Sequence, residues 1–467
     1  MNLRSNGTAS EGGRDMSIEK VVDRIRDRRD EHMDVLFDLV RHPSVSAQDS
    51  GVLECAEYLN SLLSASGIES RLIPTGGNPV VYGEVPGPGD GFTVLFYGHY
   101  DVQPPEPLEE WVSPPFEPTV RDGRIYARGV ADNKGQLLCH LLAVRAFLEV
   151  AGSVPATVKF VFEGEEESGS THLQEFVESN RELLGTDLVY VSDAGYHETG
   201  RPIVCFGVRG MLAVELEARG AATDVHSGNR GNVVPNPAWR LIDLLNTMRT
   251  PDGRVTIAGF YDDVRKPTEA EDRLMRAFPF DPDGFARSLG LEESVAADSY
   301  GYAHRLMFEP TFNVNGLASG YAGAGIKTII PARAVVKLDA RLVADQDPDG
   351  IFDKIRAHVD AHAPGVAVRH LGAMRPSRSD PASPVARRVI ETIERVRGRE
   401  PVVVPCLGGS LPDSVWTHTL GVPSVLVPYA NHDEANHAPN ENLEVEAFHS
   451  GIETSARVLD ALAAFGG

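Results

Sequence analysis

The chain is organised around the stretch TVLFYGHYDVQPP (residues 93–105). After a loop, this stretch is continued by IYARGVADNKGQ (residues 125–136). The apolar run at residues 94–97 is typical of a buried strand, and it delivers His99 and Asp101 at its end. A neutral imidazole is a metal ligand, and a nearby carboxylate can hold its second ring N–H. Asp132 precedes a predicted helix, where a carboxylate can face a cation. The stretch therefore predicts part of a metal site.

Three further apolar runs are each followed by acidic or imidazole side chains. Residues 157–162 lead into EGEEESGS (163–170), residues 187–191 lead into SDAG (192–195), and residues 423–427 lead into PYANHDEANHAPNEN (428–442). In open α/β sheets, ligands lie beyond the carboxyl ends of the strands. We therefore expect side chains from four distant segments to converge at one edge of a sheet.

The candidate metal ligands are two histidines and three acids, without a cysteine: His99, Asp132, Glu167, Asp193 and His437. Oxygen and nitrogen donors of this kind suit Zn²⁺, Mn²⁺ or Co²⁺ better than a thiolate-binding metal. Five ligands are too many for one tetrahedral catalytic zinc, so the set predicts two divalent ions that share a carboxylate. Glu166 is then left free to act as a general base.

Length, charge and cysteine content narrow the class of protein. A chain of 467 residues predicts two or three domains. The formal net charge of −23, from 67 acidic and 44 basic residues, argues against a nucleic-acid partner. Four scattered cysteines without a CxxC pair indicate a reducing compartment, and no apolar run is long enough to span a bilayer. We expect a cytoplasmic protein that acts on a small molecule, without a membrane partner.

The middle of the chain predicts a separate domain. Residues 211–219 alternate between apolar and polar side chains, which is typical of a half-exposed antiparallel strand. Later segments complete the order β-α-β-β-α-β, that of a ferredoxin-like unit, interrupted by a polar insertion at about residues 250–309 without an assigned role. We therefore divide the chain into residues 16–209 and 375–467, which form one α/β domain, and residues 210–374, which are inserted into it.

Six motifs together resemble those of the M20 metallopeptidases, and most closely those of the carnosinase and cytosolic dipeptidase branch. They are GHYDVQPP, GVADNKGQ, EGEEESGS, SDAG, DVHSGNRGNVVPNP and NHAPNEN. The resemblance implies a zinc-peptidase-like catalytic domain with a mixed sheet between helices, and an inserted ferredoxin-like α+β domain that serves as lid and dimerisation domain. It implies hydrolysis of the amide bond of a dipeptide or similar small substrate with a free carboxylate, two divalent metals (zinc first) and a homodimer.

The resemblance also implies how the metal ligands are shared. His99 and Asp193 would hold one ion, and Glu167 and His437 the other. Asp132 would bridge the two, and the peptide bond that follows it would be cis.

Three further residues have implied roles in the reaction. Asp101 would orient His99. Glu166 would be the general base that activates the attacking water and later protonates the leaving amine. His226, from the inserted domain, would stabilise the tetrahedral oxyanion, in dimeric members from the partner subunit.

The resemblance supplies binding residues for the carboxylate end of the substrate but not for its amine end. Thr328, Arg341 and Ser410 match positions that bind the terminal carboxylate, for which a forked cationic donor is suited. In dipeptidases of this branch an acidic residue precedes the GGS motif and receives the free amino group, but Leu407 stands there in this chain. The amine end is therefore left open, and an N-acyl amino acid amidohydrolase (an aminoacylase or deacetylase) is the alternative.

Overall fold

The computed structural model of the chain describes residues 11–292, 296 and 298–466, and these residues form two compact units. The first unit takes in the described residues up to Gly207, Ser379–Pro405 and the described residues from Val415 onward. The second unit consists of Val208–Arg378 and Cys406–Ser414. Within the described residues, none of the helices combines the length and the apolar character needed to cross a membrane.

The α-helices and β-strands of the described residues are numbered in chain order. The helices are α1 (Glu11–Asp27), α2 (Arg29–Val40), α3 (Val52–Ala65), α4 (Lys134–Ala151), α5 (Leu173–Ser179), α6 (Ser227–Arg230), α7 (Pro237–Met248), α8 (Glu269–Arg276), α9 (Pro282–Ser288), α10 (Ser299–Phe308), α11 (Pro348–His362), α12 (Pro384–Arg397) and α13 (Val445–Leu462). The strands are β1 (Glu69–Ile73), β2 (Val80–Val85), β3 (Thr93–His99), β4 (Thr119–Arg121), β5 (Arg124–Tyr126), β6 (Thr157–Glu163), β7 (Leu188–Val191), β8 (Ile203–Cys205), β9 (Gly210–Arg219), β10 (Val225–His226), β11 (Asn313–Ser319), β12 (Ile329–Ile330), β13 (Arg333–Leu342), β14 (Ala367–Met374), β15 (Val402–Val404), β16 (Ser424–Leu426) and β17 (Asn442–Glu444).

A mixed sheet lies at the centre of the first unit, with the strand order β1-β2-β6-β3-β7-β16-β8-β15. The neighbouring strands β6, β3, β7 and β16 run parallel to one another, so their carboxyl ends meet at one edge. Both β3 and β6 are buried on both faces after their first residue, as parallel strands covered by other elements should be. Helix α4 packs on β3, and α13 packs on α4. The predicted large mixed sheet is confirmed.

An antiparallel sheet in the order β11-β13-β9-β14 forms the second unit. Its elements follow in the sequence order β9-α7-β11-β13-α11-β14, which is the predicted β-α-β-β-α-β order. The alternation in β9 has its expected cause, because Leu212, Val214 and Leu216 are buried in a core with residues of α7 and α11. The short strands β10 and β12 form a separate pair.

Two features of the second unit depart from the sequence analysis. Residues 406–414 were assigned to the last segment of the α/β domain, but they group with the second unit. The cause is local, because Leu407 pairs with Val208 in a β-bridge and Arg209 Nε donates to the carbonyl oxygen of Gly408 at 2.9 Å. The insertion also carries the helices α8, α9 and α10, and its residues 293–295 and 297 lie outside the described residues.

Candidate active site

Loops that follow four parallel strands bring the predicted metal ligands together in the first unit. His99 is the last residue of β3, Glu167 lies four residues after the end of β6, and Asp193 lies two residues after β7. His437 belongs to the loop after β16, and Asp132 lies just before α4. The convergence predicted from the sequence is therefore present at the carboxyl edge of the sheet.

Asp132 stands between the two histidines, with one carboxylate oxygen facing each. Nε2 of His99 lies 3.1 Å from Oδ1 of Asp132 and 3.7 Å from Oδ2 of Asp193. On the other side, Nε2 of His437 lies 3.1 Å from Oδ2 of Asp132 and 3.2 Å from Oε2 of Glu167. Ligand atoms of His99, Asp132 and Glu167 all lie within 4.8 Å of one another. The five side chains thus form two adjoining groups that share Asp132.

The donor atoms of this cluster fit divalent cations. Nε2 of His99 is buried, and no hydrogen bond of suitable geometry reaches it from the described residues. A ring nitrogen that faces two carboxylates without a hydrogen bond is arranged as a metal ligand is. The donor set of two imidazoles and three carboxylates has the composition that zinc, manganese and cobalt accept.

Electrostatic interactions tie the histidines to the acids. Hydrogen bonds with Asp132 and Glu167 raise the pKa of His437 to about 10. Burial lowers the pKa of His99, but the carboxyls of Asp101, Asp132 and Asp193 raise it more strongly, so it lies well above its usual value. A cation at this place competes with protons for the same nitrogen atoms, because a histidine must be neutral to bind a metal.

Asp101 is fully buried and holds two parts of the site at once. Its carboxylate accepts hydrogen bonds from the backbone N–H groups of Glu166 and Glu167, each at 3.1 Å. Nδ1 of His99 lies 3.0 Å from the backbone carbonyl oxygen of Asp101 and 3.5 Å from its Oδ1. The nearer partner of the imidazole is therefore the backbone of Asp101, and the carboxylate mainly fixes the turn that carries the two glutamates.

Glu166 lies beside the ligand cluster in an environment that favours its protonated form. Burial raises the pKa of Glu166 well above its usual value; the charge of His99 lowers it, and the charges of Asp193 and Asp132 raise it further. A carboxyl with a raised pKa in such a cluster is a candidate for proton transfer. The peptide bond after Asp132 is cis, as the resemblance implied.

The remaining predicted residues lie in the second unit, in two pairs. His226 is in β10, and its Nδ1 accepts a hydrogen bond from the N–H of Gly228 at 3.0 Å. The N–H of the next residue, Ser227, donates to the backbone carbonyl oxygen of Thr328. Arg341, at the end of β13, donates from a terminal guanidinium nitrogen to the hydroxyl of Ser410 at 2.8 Å.

Three polar residues near the cluster were missed by the sequence analysis. Gln103 donates to Oε2 of Glu167 at 2.9 Å, and Glu441 contacts the backbone of Asp132. Glu434 is buried, and burial together with neighbouring carboxylates raises its pKa to about 9. The signal was present for two of them, because Gln103 and Glu441 lie inside the quoted motifs GHYDVQPP and NHAPNEN.

Comparison with known proteins places the chain in a family. Residues 95–461 match the family described as peptidase family M20/M25/M40. The chain belongs to this family. It is an M20 metallopeptidase, and the resemblance inferred from the motifs is confirmed.

Relatives of this M20 peptidase align over most of its length. The Cys-Gly metallodipeptidase of Schizosaccharomyces pombe is 28% identical, with 96% of this chain and 99% of the relative covered. The human Beta-Ala-His dipeptidase is also 28% identical, over 78% of this chain and 74% of the relative. The crystal structure of an M20 family metallo-carboxypeptidase from Sulfolobus solfataricus is 36% identical, has a TM-score of 0.88, and covers 93% of this chain and 99% of that chain.

Proposed function

We propose that this M20 metallopeptidase hydrolyses dipeptides and similar small peptides that carry a free terminal carboxylate. The observation that carries the proposal is the placement of Asp132 between the imidazoles of His99 and His437, with Glu166 beside them. The curated relatives named as dipeptidases support the choice of substrate class, and their names do not favour the alternative of an N-acyl amino acid amidohydrolase.

The first unit would carry the catalytic groups. Two divalent metal ions, when bound, would supply Lewis acidity at the scissile carbonyl. Their proposed ligands are the five converging side chains: His99, Asp132, Glu167, Asp193 and His437. Glu166 takes the proton of the attacking water and returns it to the leaving amine. A raised pKa suits this task, since the group must hold the proton between the two steps.

The second unit would act as the lid and dimerisation domain and would bind the substrate. His226 donates to the oxyanion that develops at the carbonyl. Thr328, Arg341 and Ser410 bind the terminal carboxylate, and the contact of 2.8 Å between the guanidinium of Arg341 and the hydroxyl of Ser410 supports a shared place for the last two. The further proposals are zinc as the metal, a homodimer as the assembly and the cytoplasm as the location.

A carboxypeptidase that accepts longer or N-blocked peptides is the second candidate function. Two observations favour it. Leu407 occupies the position at which an acidic residue would pair with a free amino group, and a solved relative at 36% identity is a metallo-carboxypeptidase. An ammonium group that faces a leucine gains no ion pair, so the enzyme would not require a free amino terminus.

A substrate panel tests both candidates. The purified protein is treated with a chelator, reconstituted with Zn²⁺, Mn²⁺ or Co²⁺, and assayed on Ala-Ala, Ala-Ala-Ala, N-acetyl-Ala-Ala and N-acetyl-Ala. A dipeptidase prefers Ala-Ala, whereas a carboxypeptidase releases alanine from the tripeptide and the blocked dipeptide at comparable rates. Activity that survives complete metal removal would refute the mechanism.

Substitution of Glu166 tests whether this residue acts as the general base or as a metal ligand. Glu166→Gln should abolish turnover while two metal ions per chain remain bound. Glu165→Gln is the matched control, because Glu165 lies in the same acidic run but pairs with His172 at 2.8 Å, and this variant should keep its turnover. A Glu166→Gln variant that loses its metals would show that base and ligand were exchanged.

A further inference from the structure

The carboxylate of Glu441 lies at the centre of the turn that carries Asp132. It is fully buried, and each of its oxygens accepts two hydrogen bonds. Oε2 accepts from a terminal nitrogen of Arg128 at 2.7 Å and from the N–H of Gly129 at 2.9 Å. Oε1 accepts from the N–H of Ala131 at 2.9 Å and from the N–H of Asp132 at 3.0 Å. A single side chain thus satisfies three backbone donors of one turn.

The shape of this turn explains why it needs such a partner. Gly129 has φ +81°, and a Cβ atom there would lie 2.4 Å from a side-chain carbon of Val102. The turn points several N–H groups into one buried concavity, which is the arrangement by which backbones bind anions. Without an acceptor, these donors would be buried without a hydrogen bond, which destabilises the folded backbone.

We propose that Glu441 is a positioning residue for metal binding, which fixes the backbone of Asp132 so that its two carboxylate oxygens face the two histidines. This inference rests on the proposed function of the cluster. Asp132 is the residue that the two groups of ligands share, with contacts of 3.1 Å to His99 and 3.1 Å to His437. A shift of its backbone therefore disturbs both groups, whereas a shift of His437 or Asp193 would disturb one.

A second set of contacts holds the same turn from the side of α4. Nε2 of Gln136 donates to the carbonyl oxygen of Ala131 at 2.9 Å and to that of Ala194 at 3.0 Å. The turn before α4 is thereby linked to the loop after β7, which carries Asp193. Glu441 acts on the N–H groups of the turn and Gln136 on a carbonyl, so that the peptide unit between Ala131 and Asp132 is held at both ends.

The chemistry requires a carboxylate at residue 441. An ionised carboxylate only accepts hydrogen bonds, and four donors surround it here. A glutamine has one acceptor oxygen, and its NH₂ group would face two of these donors. Glu441→Gln therefore loses two of the four hydrogen bonds and places donors against donors, while the size of the side chain is kept.

A matched substitution in the second unit separates positioning from the general cost of removing a buried charge. Glu271 is also buried, accepts from both terminal nitrogens of Arg265 at 2.8 and 2.7 Å, and accepts from the N–H of Thr268 at 2.8 Å. Glu271→Gln removes a comparable set of interactions away from Asp132.

The test measures zinc affinity by competition with a fluorescent chelator, together with kcat and KM on the best peptide substrate. Glu441→Gln should bind zinc at least about tenfold more weakly, in the range seen when residues behind a metal ligand are changed, and its kcat should fall more than its KM rises. Glu271→Gln should keep the affinity of the wild type. Equal zinc affinity in wild type and Glu441→Gln would overturn the inference.

A second variant keeps the test decisive where Glu441→Gln fails to fold. Glu441→Asp retains the charge opposite Arg128 but withdraws the carboxylate by one methylene group from the N–H of Asp132. Weakened zinc binding in a folded Glu441→Asp protein supports positioning, and unchanged binding overturns it. A wild-type protein that binds neither zinc, manganese nor cobalt would instead refute the proposed function, so the two failures are distinguishable.

Discussion

Glu163, the last residue of β6, offers a quantitative test of how the first unit treats its buried acids. Burial raises the pKa of Glu163 to about 7 from an ordinary value of 4.5, and the hydrogen bonds from Tyr97 and Ser170 only partly oppose this shift. The hydroxyls of Tyr97 and Ser170 both donate to Oε1, at 2.5 and 2.9 Å. Glu163→Gln can therefore keep both hydrogen bonds while it removes the charge.

The size of the effect follows from the two pKa values. Each pKa unit corresponds to about 1.4 kcal/mol, so a value of about 7 in the folded chain against 4.5 in the unfolded chain is worth about 3 kcal/mol. The folded state binds the proton more tightly. The stabilising contribution is therefore fully present below pH 4.5 and is lost as the pH rises through about 7. The difference in stability between Glu163→Gln and wild type should be below about 1 kcal/mol near pH 5, and the variant should be more stable by up to about 3 kcal/mol near pH 8.5.

Tryptophan fluorescence can report on the first unit separately. Trp111 and Trp416 belong to the first unit and Trp239 to the second, so a Trp239→Phe background removes the signal of the second unit. Guanidinium unfolding is followed between pH 5 and pH 8.5 in the presence of chelator. The exposed Glu175→Gln on α5 controls for the change in net charge. A stability difference between Glu163→Gln and wild type that stays constant over this range would refute the reasoning.

Three further substitutions address the site itself. In Asp101→Asn, the side chain can accept only one of the two hydrogen bonds from the N–H groups of Glu166 and Glu167. The loss of one charged hydrogen bond (about 1.5–3 kcal/mol) should lower kcat about 10–100-fold. An unchanged kcat would contradict this role for the carboxylate. His226→Ala should lower kcat about 10²–10³-fold with a small change in KM, as the loss of one oxyanion donor does, and steady-state kinetics on the best peptide will show whether it does. Leu407→Glu should raise the ratio of kcat/KM for Ala-Ala over N-acetyl-Ala-Ala by about tenfold or more, since it supplies a charged partner for the free amino group; an unaltered ratio would place the amine elsewhere.

The convergence of the five proposed ligands could be predicted from the sequence because its signals are local. Each apolar run is long enough to indicate a strand, and His99, Glu167 and Asp193 lie within a few residues of a strand end. The exceptions are Asp132, which lies just before α4, and His437, which lies eleven residues after β16 ends at Leu426. Because parallel strands end at the same edge of a sheet, the side chains that follow them are expected to lie close together. The order of helices and strands along the second unit was equally accessible, because the alternation in β9 indicates an antiparallel strand with one buried face.

The partners of the supporting side chains could not be predicted, because no strand-end rule brings a side chain to particular backbone N–H groups. Glu441 and the N–H of Ala131 are 310 residues apart, and no periodic pattern links a carboxylate to backbone donors at that distance. The same limit applies to residues 406–414, whose place in the second unit depends on the hydrogen bond between Arg209 and Gly408. In the insertion, Thr268 and Glu271 form a capping box at the start of α8. A threonine followed three residues later by a glutamate is a sequence signal for a helix start, although the polar composition of the segment does not indicate a helix.

Glu166 and Glu434 of the first unit differ from Glu271 of the second unit in how their buried carboxyls are compensated, and this difference favours cations near the first two. In the second unit, burial raises the pKa of Glu271 but the hydrogen bonds from Arg265 lower it further, so the net pKa lies below the ordinary value. In the first unit, burial and neighbouring carboxylates leave the pKa values of Glu166 and Glu434 raised, with Glu434 at about 9. An arginine compensates one carboxylate, whereas a pair of divalent ions brings four positive charges to a cluster that the histidines alone do not balance. Divalent ions bound between His99, Asp132 and His437 would offset the repulsion among the carboxyls that meet at this sheet edge.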